Sequence, residues 1–219
     1  MPKAATLASP KIARPRLHRA VVRERLFRKI AAAAAPIVWI SGPPGAGKTT
    51  LAASYLESRK LPAIWYQVDS GDADPATFFY YLGLAAAQGG FSKRGPMPLL
   101  PTESAVDLAA FTRRYFRELF GRLPRSAVLV FDNFQDAVGL SFETLSREAL
   151  SQVPDGITII VLSLSDPPNA LARLVANRVI ALLEVASSAR TATSVAPPVL
   201  VRFMYASVDC PDLAGRSHG

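Results

Sequence analysis

A glycine-rich loop between an apolar run and a helix constrains the fold of this chain more than any other feature. Residues 42–50 read Gly-Pro-Pro-Gly-Ala-Gly-Lys-Thr-Thr and match the spacing G-x-x-x-x-G-K-[ST]. The apolar run at 37–41 predicts a strand before the loop, and a helix is predicted to follow it to residue 59. This order is typical of phosphate-binding α/β domains. The alternative interpretation is an ordinary turn rich in glycine and proline.

The fixed positions of the loop have chemical reasons. Glycines lack a Cβ, so the backbone can curl around a phosphate and point its N–H groups inward. The Lys48 ammonium can reach β- and γ-phosphates, and the Thr49 hydroxyl can bind Mg²⁺. The sequence therefore predicts that ATP or ADP binds here with Mg²⁺. The predicted nucleotide contacts in the loop are Gly42, Pro43, Pro44, Gly45, Ala46, Gly47, Lys48, Thr49 and Thr50.

Composition narrows the class of protein. A chain of 219 residues suits one α/β domain with short extensions. The lone cysteine, Cys210, excludes an internal disulfide framework and a cysteine-rich zinc site. The sequence contains neither an apolar run of about 18 residues nor a secretory leader. We therefore predict a cytoplasmic protein without a membrane partner.

The net charge of +8 is concentrated at the N-terminus. Residues 1–30 hold nine basic residues and one acidic residue, whereas the rest of the chain holds 16 of each sign. Three interpretations remain open: a solvated or phosphate-facing arm, a nucleic-acid contact, and an organelle transit peptide. Three prolines and the lack of a helical period predict that residues 1–20 form an extended arm.

Strands and helices alternate along most of the chain. Apolar runs predict strands at 37–41, 63–68, 127–131, 157–162 and 179–183. Apolar periodicity predicts further helices at 22–35, 75–87, 104–123, 142–152 and 170–176, and Ser141 is the expected cap of the helix at 142–152. The alternation predicts an α/β, three-layer P-loop NTPase domain with a mostly parallel five-stranded sheet.

The predicted domain occupies residues 21–184, between the basic arm at 1–20 and an irregular or disordered tail at 185–219. The run Phe-Phe-Tyr-Tyr-Leu at 78–82 is interpreted as core packing in preference to a base-stacking platform. Residues 88–101 contain Gly-Gly and three prolines, which predicts a mobile surface loop.

A carboxylate at the end of a nearby strand would complete the site. Asp132 follows the apolar run Val-Leu-Val-Phe, as expected for an acid that holds Mg²⁺ beside a phosphate loop. The alternative is an Asp that only ends a strand. Asn133 comes next, and its amide can orient water but cannot accept a proton. Lys48, Asp132 and Asn133 are thus the candidate catalytic residues, Thr49 and Asp132 the candidate Mg²⁺ ligands, and hydrolysis is predicted to be slow at best.

A second polar group is expected at the end of the fourth strand. This strand ends at Ser163 and should lie between the loop strand and the Asp132 strand, so its carboxyl end faces the γ-phosphate. Ser163 and Ser165 are candidate sensors of that phosphate, and Ser163 joins the predicted nucleotide contacts. Leu164, between them, cannot sense charge.

Five segments together resemble one protein family. They are Lys11…Pro15…His18-Arg-Ala-Val-Val-Arg-Glu-Arg-Leu26, the loop at 42–50, Ile64-Trp-Tyr-Gln-Val-Asp-Ser-Gly-Asp-Ala-Asp74, Val128-Leu-Val-Phe-Asp-Asn133 and Val161-Leu-Ser-Leu-Ser-Asp-Pro-Pro168. Over residues 11–184 the chain resembles the N-terminal nucleotide-binding domain of MalT-like, LuxR-type bacterial transcriptional regulators, which are signal-transducing NTPases related to the AAA+ class. The resemblance implies an ATP/ADP conformational switch, with residues 22–26 near the adenine and Asp132 as the acid on the Mg²⁺ side.

The chain departs from this family in two ways. The family usually has arginine after the serine of the fourth strand, where this chain has Leu164, so sensing of the γ-phosphate is not implied for this chain. The sequence also ends where a winged helix would begin, and residues 185–219 do not resemble the family. The sequence therefore predicts a truncated product that lacks DNA-recognition modules and does not bind DNA on its own.

Three functional hypotheses follow. The first is a nucleotide-switch domain with weak or no ATP hydrolysis, for which self-association or a signalling partner stays open. The second is a small P-loop kinase, although only Arg173 and Arg178 could serve as lid cations after the fourth strand. The third is an interaction fragment that does not respond to nucleotide. The loop, Asp132 and the family resemblance together favour the first.

Overall fold

A parallel sheet forms the centre of the fold. The computed structural model describes residues 9–17, 23–91, 95–101 and 107–186. The strands are β1 (Ile37–Ser41), β2 (Ala63–Gln67), β3 (Val128–Asp132), β4 (Thr158–Ser163) and β5 (Ile180–Glu184). They run in the order β2-β3-β4-β1-β5, and every pairing is parallel. The predicted α/β class with a parallel five-stranded sheet is therefore confirmed.

Helices cover both faces of the sheet. Successive side chains of a strand point to opposite faces, so each strand contributes to two cores. The helices are α1 (Glu24–Ala31), α2 (Lys48–Ser58), α3 (Pro75–Gln88), α4 (Leu108–Arg122), α5 (Leu140–Leu150) and α6 (Ala172–Ala176). In β1, Val38 and Ile40 join the core under α1 and α2, whereas Ile37 and Trp39 join the core under α3, α4 and α5. These are the three predicted layers.

Among the described residues, no helix combines the length and the apolar character needed to cross a membrane.

Several helix ends differ from the prediction by one to four residues. α1 ends at Ala31 instead of residue 35, and the following residues turn into β1. α5 begins two residues early, with Gly139 in place of Ser141 as its N-cap. Gly139 has φ 119°, a conformation that favours glycine, and this sharp turn starts the helix before the serine is reached. The start predicted for α4 at residue 104 lies outside the described residues, and Asp107 caps its observed start.

Residues 95–101, which belong to the predicted mobile loop, are anchored to the domain. The Arg122 guanidinium donates to the carbonyl oxygens of Gly95 at 2.6 Å and Pro96 at 3.3 Å. Met97 is buried in the core. This segment is therefore a packed connection between α3 and α4, because a side chain from α4 binds its backbone.

The described part of the N-terminal segment also packs on the domain. Pro10–Ile12 forms a 3₁₀ turn where an extended arm is predicted, and Ile12 is buried in the core. Lys11 Nζ lies 2.6 Å from an Asp69 carboxylate oxygen and 2.9 Å from one of Asp72. The Tyr66 hydroxyl donates to the fully buried Asp72 at 2.7 Å. The charge of Lys11 is therefore used inside the fold, and a solvated arm does not describe this residue.

Candidate nucleotide-binding site

The glycine-rich loop leaves the carboxyl end of β1 and leads directly into α2. Gly45 and Gly47 have φ values of 77° and 80°, a left-handed conformation that residues with a Cβ rarely adopt. Gly47 is the N-cap and Lys48 the first residue of α2. The N-terminus of a helix presents backbone N–H donors and the positive end of the helix dipole. The local geometry thus suits an anion at the predicted place.

Thr49 and Asp132 come together although 83 residues separate them. The Thr49 hydroxyl donates to the two carboxylate oxygens of Asp132 at 3.0 and 3.2 Å. The strand order explains this contact, because β4 lies between β1 and β3 and all three strands end at the same edge. A hydroxyl and a carboxylate are oxygen ligands of the kind Mg²⁺ prefers when phosphates and water complete its coordination. The two side chains therefore fit a Mg²⁺ ion shared with a nucleotide.

The described residues contain no cluster of three or more His, Cys, Asp or Glu side chains that could hold a metal ion.

Lys48 is held at the loop by its own backbone. Its ammonium donates to the carbonyl oxygens of Gly42 at 2.6 Å and Pro43 at 3.1 Å. Burial lowers the pKa of Lys48, and the nearby Asp132 carboxylate opposes this effect. Phosphate oxygens could take over these two hydrogen bonds without a large movement of the side chain.

Burial raises the pKa of Asp132, while hydrogen bonds from Thr49 and the Asn133 N–H, and the charge of Lys48, act in the opposite direction. A carboxyl group with a raised pKa binds its proton more tightly in the folded state than in the unfolded state. The free energy of unfolding therefore falls as the pH rises from the pKa of this group in the unfolded state to its pKa in the folded state. Asp132 thus destabilises the fold at neutral pH, as expected of a group kept for binding.

We expect Asp132→Asn to raise the melting temperature at pH 7 without nucleotide, because it removes a buried charge and keeps an acceptor for Thr49. The difference in melting temperature between the variant and the wild type should shrink as the pH falls from 7 to 4, because wild-type Asp132 takes up its proton as the pH falls. Thermal unfolding across this pH range measures the effect. The exposed Asp155→Asn is the matched control, because Asp155 is not among the charges that act on Asp132, and an equal gain in both variants would contradict the prediction.

Asn133 has a conformational role that the sequence does not reveal. Its backbone is left-handed, with φ 57° and ψ 41°, and its N–H donates to an Asp132 carboxylate oxygen at 3.0 Å. Asparagine adopts this conformation more readily than most residues with a side chain. The residue type at position 133 therefore suits the turn that aims Asp132, independently of any role in orienting water.

The two candidate sensor serines take part in the turn after β4. Ser163 is buried, pairs in register with Ser41 of β1, and its hydroxyl accepts from the Ser165 N–H at 3.3 Å. The Ser165 carbonyl accepts from the Trp39 indole at 2.9 Å. Leu164 is exposed at the rim of the sheet. Ser163 thus lies at the predicted edge, and its hydroxyl already binds the backbone there.

Two further residues contact the site without having been singled out. Asp166 accepts from the Ser41 hydroxyl at 3.1 Å, directly before the loop. Arg23 donates to the Ala46 carbonyl at 3.3 Å, inside the loop. The resemblance placed residues 22–26 near the adenine, and this is the signal that could have pointed to Arg23. Asp166 lies within the segment 161–168 that carries the family resemblance, but that segment gave it no role.

The first glycine of the loop packs against the end of β5. A Cβ built on Gly42 would lie 2.3 Å from the Val185 carbonyl oxygen, and the Val185 N–H donates to the Ser41 carbonyl at 2.8 Å. Val185 is completely buried, whereas residues 187–219 of the predicted tail lie outside the described residues. The loop and the end of β5 therefore form one packed unit.

We expect Gly42→Ala to lower the free energy of unfolding by about 1–3 kcal/mol, as for overpacked interiors, because the new methyl group displaces the Val185 backbone. Urea unfolding followed by circular dichroism measures this loss. An unchanged unfolding midpoint would contradict the close approach of Val185 to the loop.

Comparison with known proteins places the site in context. The AAA domain family matches residues 32–174. The HTH-type transcriptional regulator MalT of Cronobacter sakazakii is 32% identical over 172 residues, which cover 77% of this chain and 19% of that protein. MalT of Vibrio parahaemolyticus is 31% identical over 170 residues, which cover 75% of this chain and 18% of that protein. The chain thus spans about a fifth of the length of these relatives.

Solved structures share the general arrangement only weakly. The structure of Drosophila ORC bound to AT-rich DNA and Cdc6 overlaps with a TM-score of 0.48 at 13% identity, covering 75% of this chain and 54% of that chain. A Walker-type ATPase of Pyrococcus abyssi overlaps with a TM-score of 0.43 at 14% identity, covering 75% of this chain and 53% of that chain. Overlaps at these scores carry no argument about function.

Proposed function

Because the chain belongs to the AAA domain family, we propose that it binds ATP and ADP with Mg²⁺ and acts as a nucleotide switch with weak or no ATP hydrolysis. The observation that carries the proposal is the pairing of Thr49 with Asp132 beside the glycine-rich loop. An ordinary turn would not require a buried carboxylate at this point. Burial disfavours the charged form of Asp132, yet the residue lies at this place.

Each residue of the site has its own role in binding the nucleotide. The loop backbone and the N-terminus of α2 hold the phosphates, and Lys48 neutralises their charge. Thr49 and Asp132 would hold Mg²⁺, which supplies positive charge between the β- and γ-phosphates when bound. Ser163 would contact the γ-phosphate only if its hydroxyl exchanged the Ser165 N–H for a phosphate oxygen.

Weak hydrolysis follows from position 133. A general base must accept a proton from the attacking water, and the Asn133 amide cannot do this. The left-handed backbone at this position also disfavours replacement by a longer acidic residue, by roughly 1 kcal/mol. We therefore propose that nucleotide occupancy, more than turnover, is the output of the site.

The proposed context is signalling. The relatives are named as transcriptional regulators, and by analogy this domain would report ATP or ADP to a partner or to a second copy in the cytoplasm. The proposed domain extends beyond the predicted residues 21–184, because Ile12 and Val185 are also buried in its cores, and we assign it no DNA binding by itself.

Nucleotide-dependent thermal unfolding of the full chain tests the proposal. ATP with Mg²⁺ at a hundred times its Kd should stabilise the fold by about 2.7 kcal/mol. ADP should also stabilise it, and GTP in a parallel sample reports base preference. The proposal fails if neither ATP nor ADP changes the melting temperature at millimolar concentration with Mg²⁺ present.

Turnover is measured separately by release of inorganic phosphate. We expect little or none, and any release should disappear in Asp132→Ala. Rapid release that survives this substitution would contradict the assigned role of Asp132.

A further inference from the structure

A cavity lies on the face of the sheet opposite α2. Its volume is about 230 Å³, and it opens at the carboxyl ends of β1 and β4. Its apolar walls are the buried side chains of Trp39, Phe134, Phe142 and Leu171. These residues belong to the core under α3, α4 and α5, whereas the side chains that anchor α2 belong to the other core. The apolar part of the cavity thus lies on the face opposite α2, and its polar end, at Ser163 and Asp166, adjoins the edge of the sheet where the phosphate loop begins.

Ser146 brings an unsatisfied hydroxyl to this cavity. The side chain projects from α5, is only 4% exposed, and lines the cavity. Its Oγ is buried and has no hydrogen-bond partner. Most buried polar side-chain atoms in folded proteins have a partner, so a buried hydroxyl without one calls for an explanation. A ligand in the cavity would supply the missing partner.

The charged groups around the cavity are all acidic. Glu143 and Asp166 contribute carboxylates to its lining, and neither lysine, arginine nor histidine is among the residues that line it. Asp166 is held in place by the Ser41 hydroxyl. Two carboxylates next to apolar walls attract a cation and repel an anion, although solvent screens part of this attraction because Glu143 and Asp166 are exposed. The chemistry of the lining is therefore unsuited to phosphates.

We propose that this cavity binds a small organic amine with an apolar, aromatic-sized body. The apolar body would lie against Trp39 and Phe134, and the ammonium would face the carboxylates. A dry cavity of about 150 Å³ holds benzene, so by proportion this cavity holds a molecule of roughly nine non-hydrogen atoms. Its apolar body would contact no residue of the phosphate loop, because none of residues 42–50 lines the cavity.

The test is an NMR titration of the ¹⁵N-labelled full chain with three probes of matched size, in which the chemical shifts of the indole N–H groups are followed. The probes are 2-phenylethylamine, which is a cation at pH 7, uncharged 2-phenylethanol, and the anion phenylacetate. The amine should bind saturably, the alcohol about tenfold more weakly or worse, and the acid not measurably. The Trp39 indole N–H, which donates to the Ser165 carbonyl, is the reporter, and the Trp65 indole in the opposite core is its internal control.

Substitutions at Ser146 test whether the amine binds inside the cavity. Ser146→Leu should fill the cavity and abolish binding of the amine, while ATP stabilisation stays at the wild-type level and shows that the fold is intact. Ser146→Ala should weaken binding about two- to tenfold, the effect of one hydrogen bond. Ser141→Ala, on the same helix but outside the cavity lining, should bind as the wild type does.

Three outcomes would overturn the inference. They are equal binding of all three probes, indole shifts of equal size at Trp39 and Trp65, and undiminished binding of the amine by a folded Ser146→Leu variant.

Discussion

Lys48→Ala is expected to weaken binding of ATP with Mg²⁺ about ten- to a hundredfold, the effect of losing one or more charge-assisted hydrogen bonds to phosphate. The Lys48 ammonium already lies at the loop, within hydrogen-bond distance of the Gly42 and Pro43 carbonyls. The Arg23 guanidinium also reaches the loop, where it donates to the Ala46 carbonyl. Isothermal titration calorimetry of the wild type and the variant measures the difference.

Lys60→Ala is the matched control, because it removes the same charge just beyond the other end of α2. It should bind ATP as tightly as the wild type. The melting temperature of Lys48→Ala without nucleotide should fall slightly below that of the wild type, since the ammonium bonds its own loop and its charge offsets that of the buried Asp132 carboxylate. Equal affinity of the two variants for ATP would contradict the placement of Lys48 in the binding site.

Lys11→Ala is expected to cost about 3–5 kcal/mol of stability, the usual consequence of removing one partner from a buried ion pair. The Lys11 side chain is 9% exposed and that of Asp72 is completely buried, so the loss would leave the Asp72 carboxylate without its cation. The exposed Asp69 contributes less, because solvent screens it. Urea unfolding monitored by circular dichroism measures the loss.

Two further variants make this prediction specific. Arg16→Ala removes an exposed charge from the same segment and should leave the unfolding midpoint unchanged. Adding Asp72→Asn to Lys11→Ala should recover part of the loss, because the unpaired buried charge is then absent. A Lys11→Ala protein as stable as the wild type would show that the N-terminal segment does not anchor to the domain.

The sheet and the meeting of Thr49 with Asp132 could be predicted because both depend on short, regular patterns. Apolar runs indicate buried parallel strands, and in such a sheet the carboxyl ends of neighbouring strands share one edge. Once β4 is placed between β1 and β3, the loop and Asp132 must approach each other. The resemblance to MalT-like regulators is also confirmed, by the family match and by the curated relatives. The roles of these residues in binding nucleotide stay predictions.

The features that escaped prediction depend on contacts between distant residues or on unusual backbone angles. The pair Lys11–Asp72 joins positions 61 residues apart, and no local pattern distinguishes Lys11 from its basic neighbours. Ser141 has a good local propensity as a cap, but the turn at Gly139 starts the helix earlier. The left-handed Asn133 is likewise invisible in a pattern of apolar and polar residues.

The close approach of Gly42 to Val185 gives the domain a short mechanical linkage. The polypeptide emerges from β5 against the first residue of the phosphate loop, through one carbonyl contact and one backbone hydrogen bond. A pull on the chain after residue 185 would therefore reach the loop without passing through a helix or a side chain. Conversely, any reshaping of the loop would shift the point from which the following polypeptide departs.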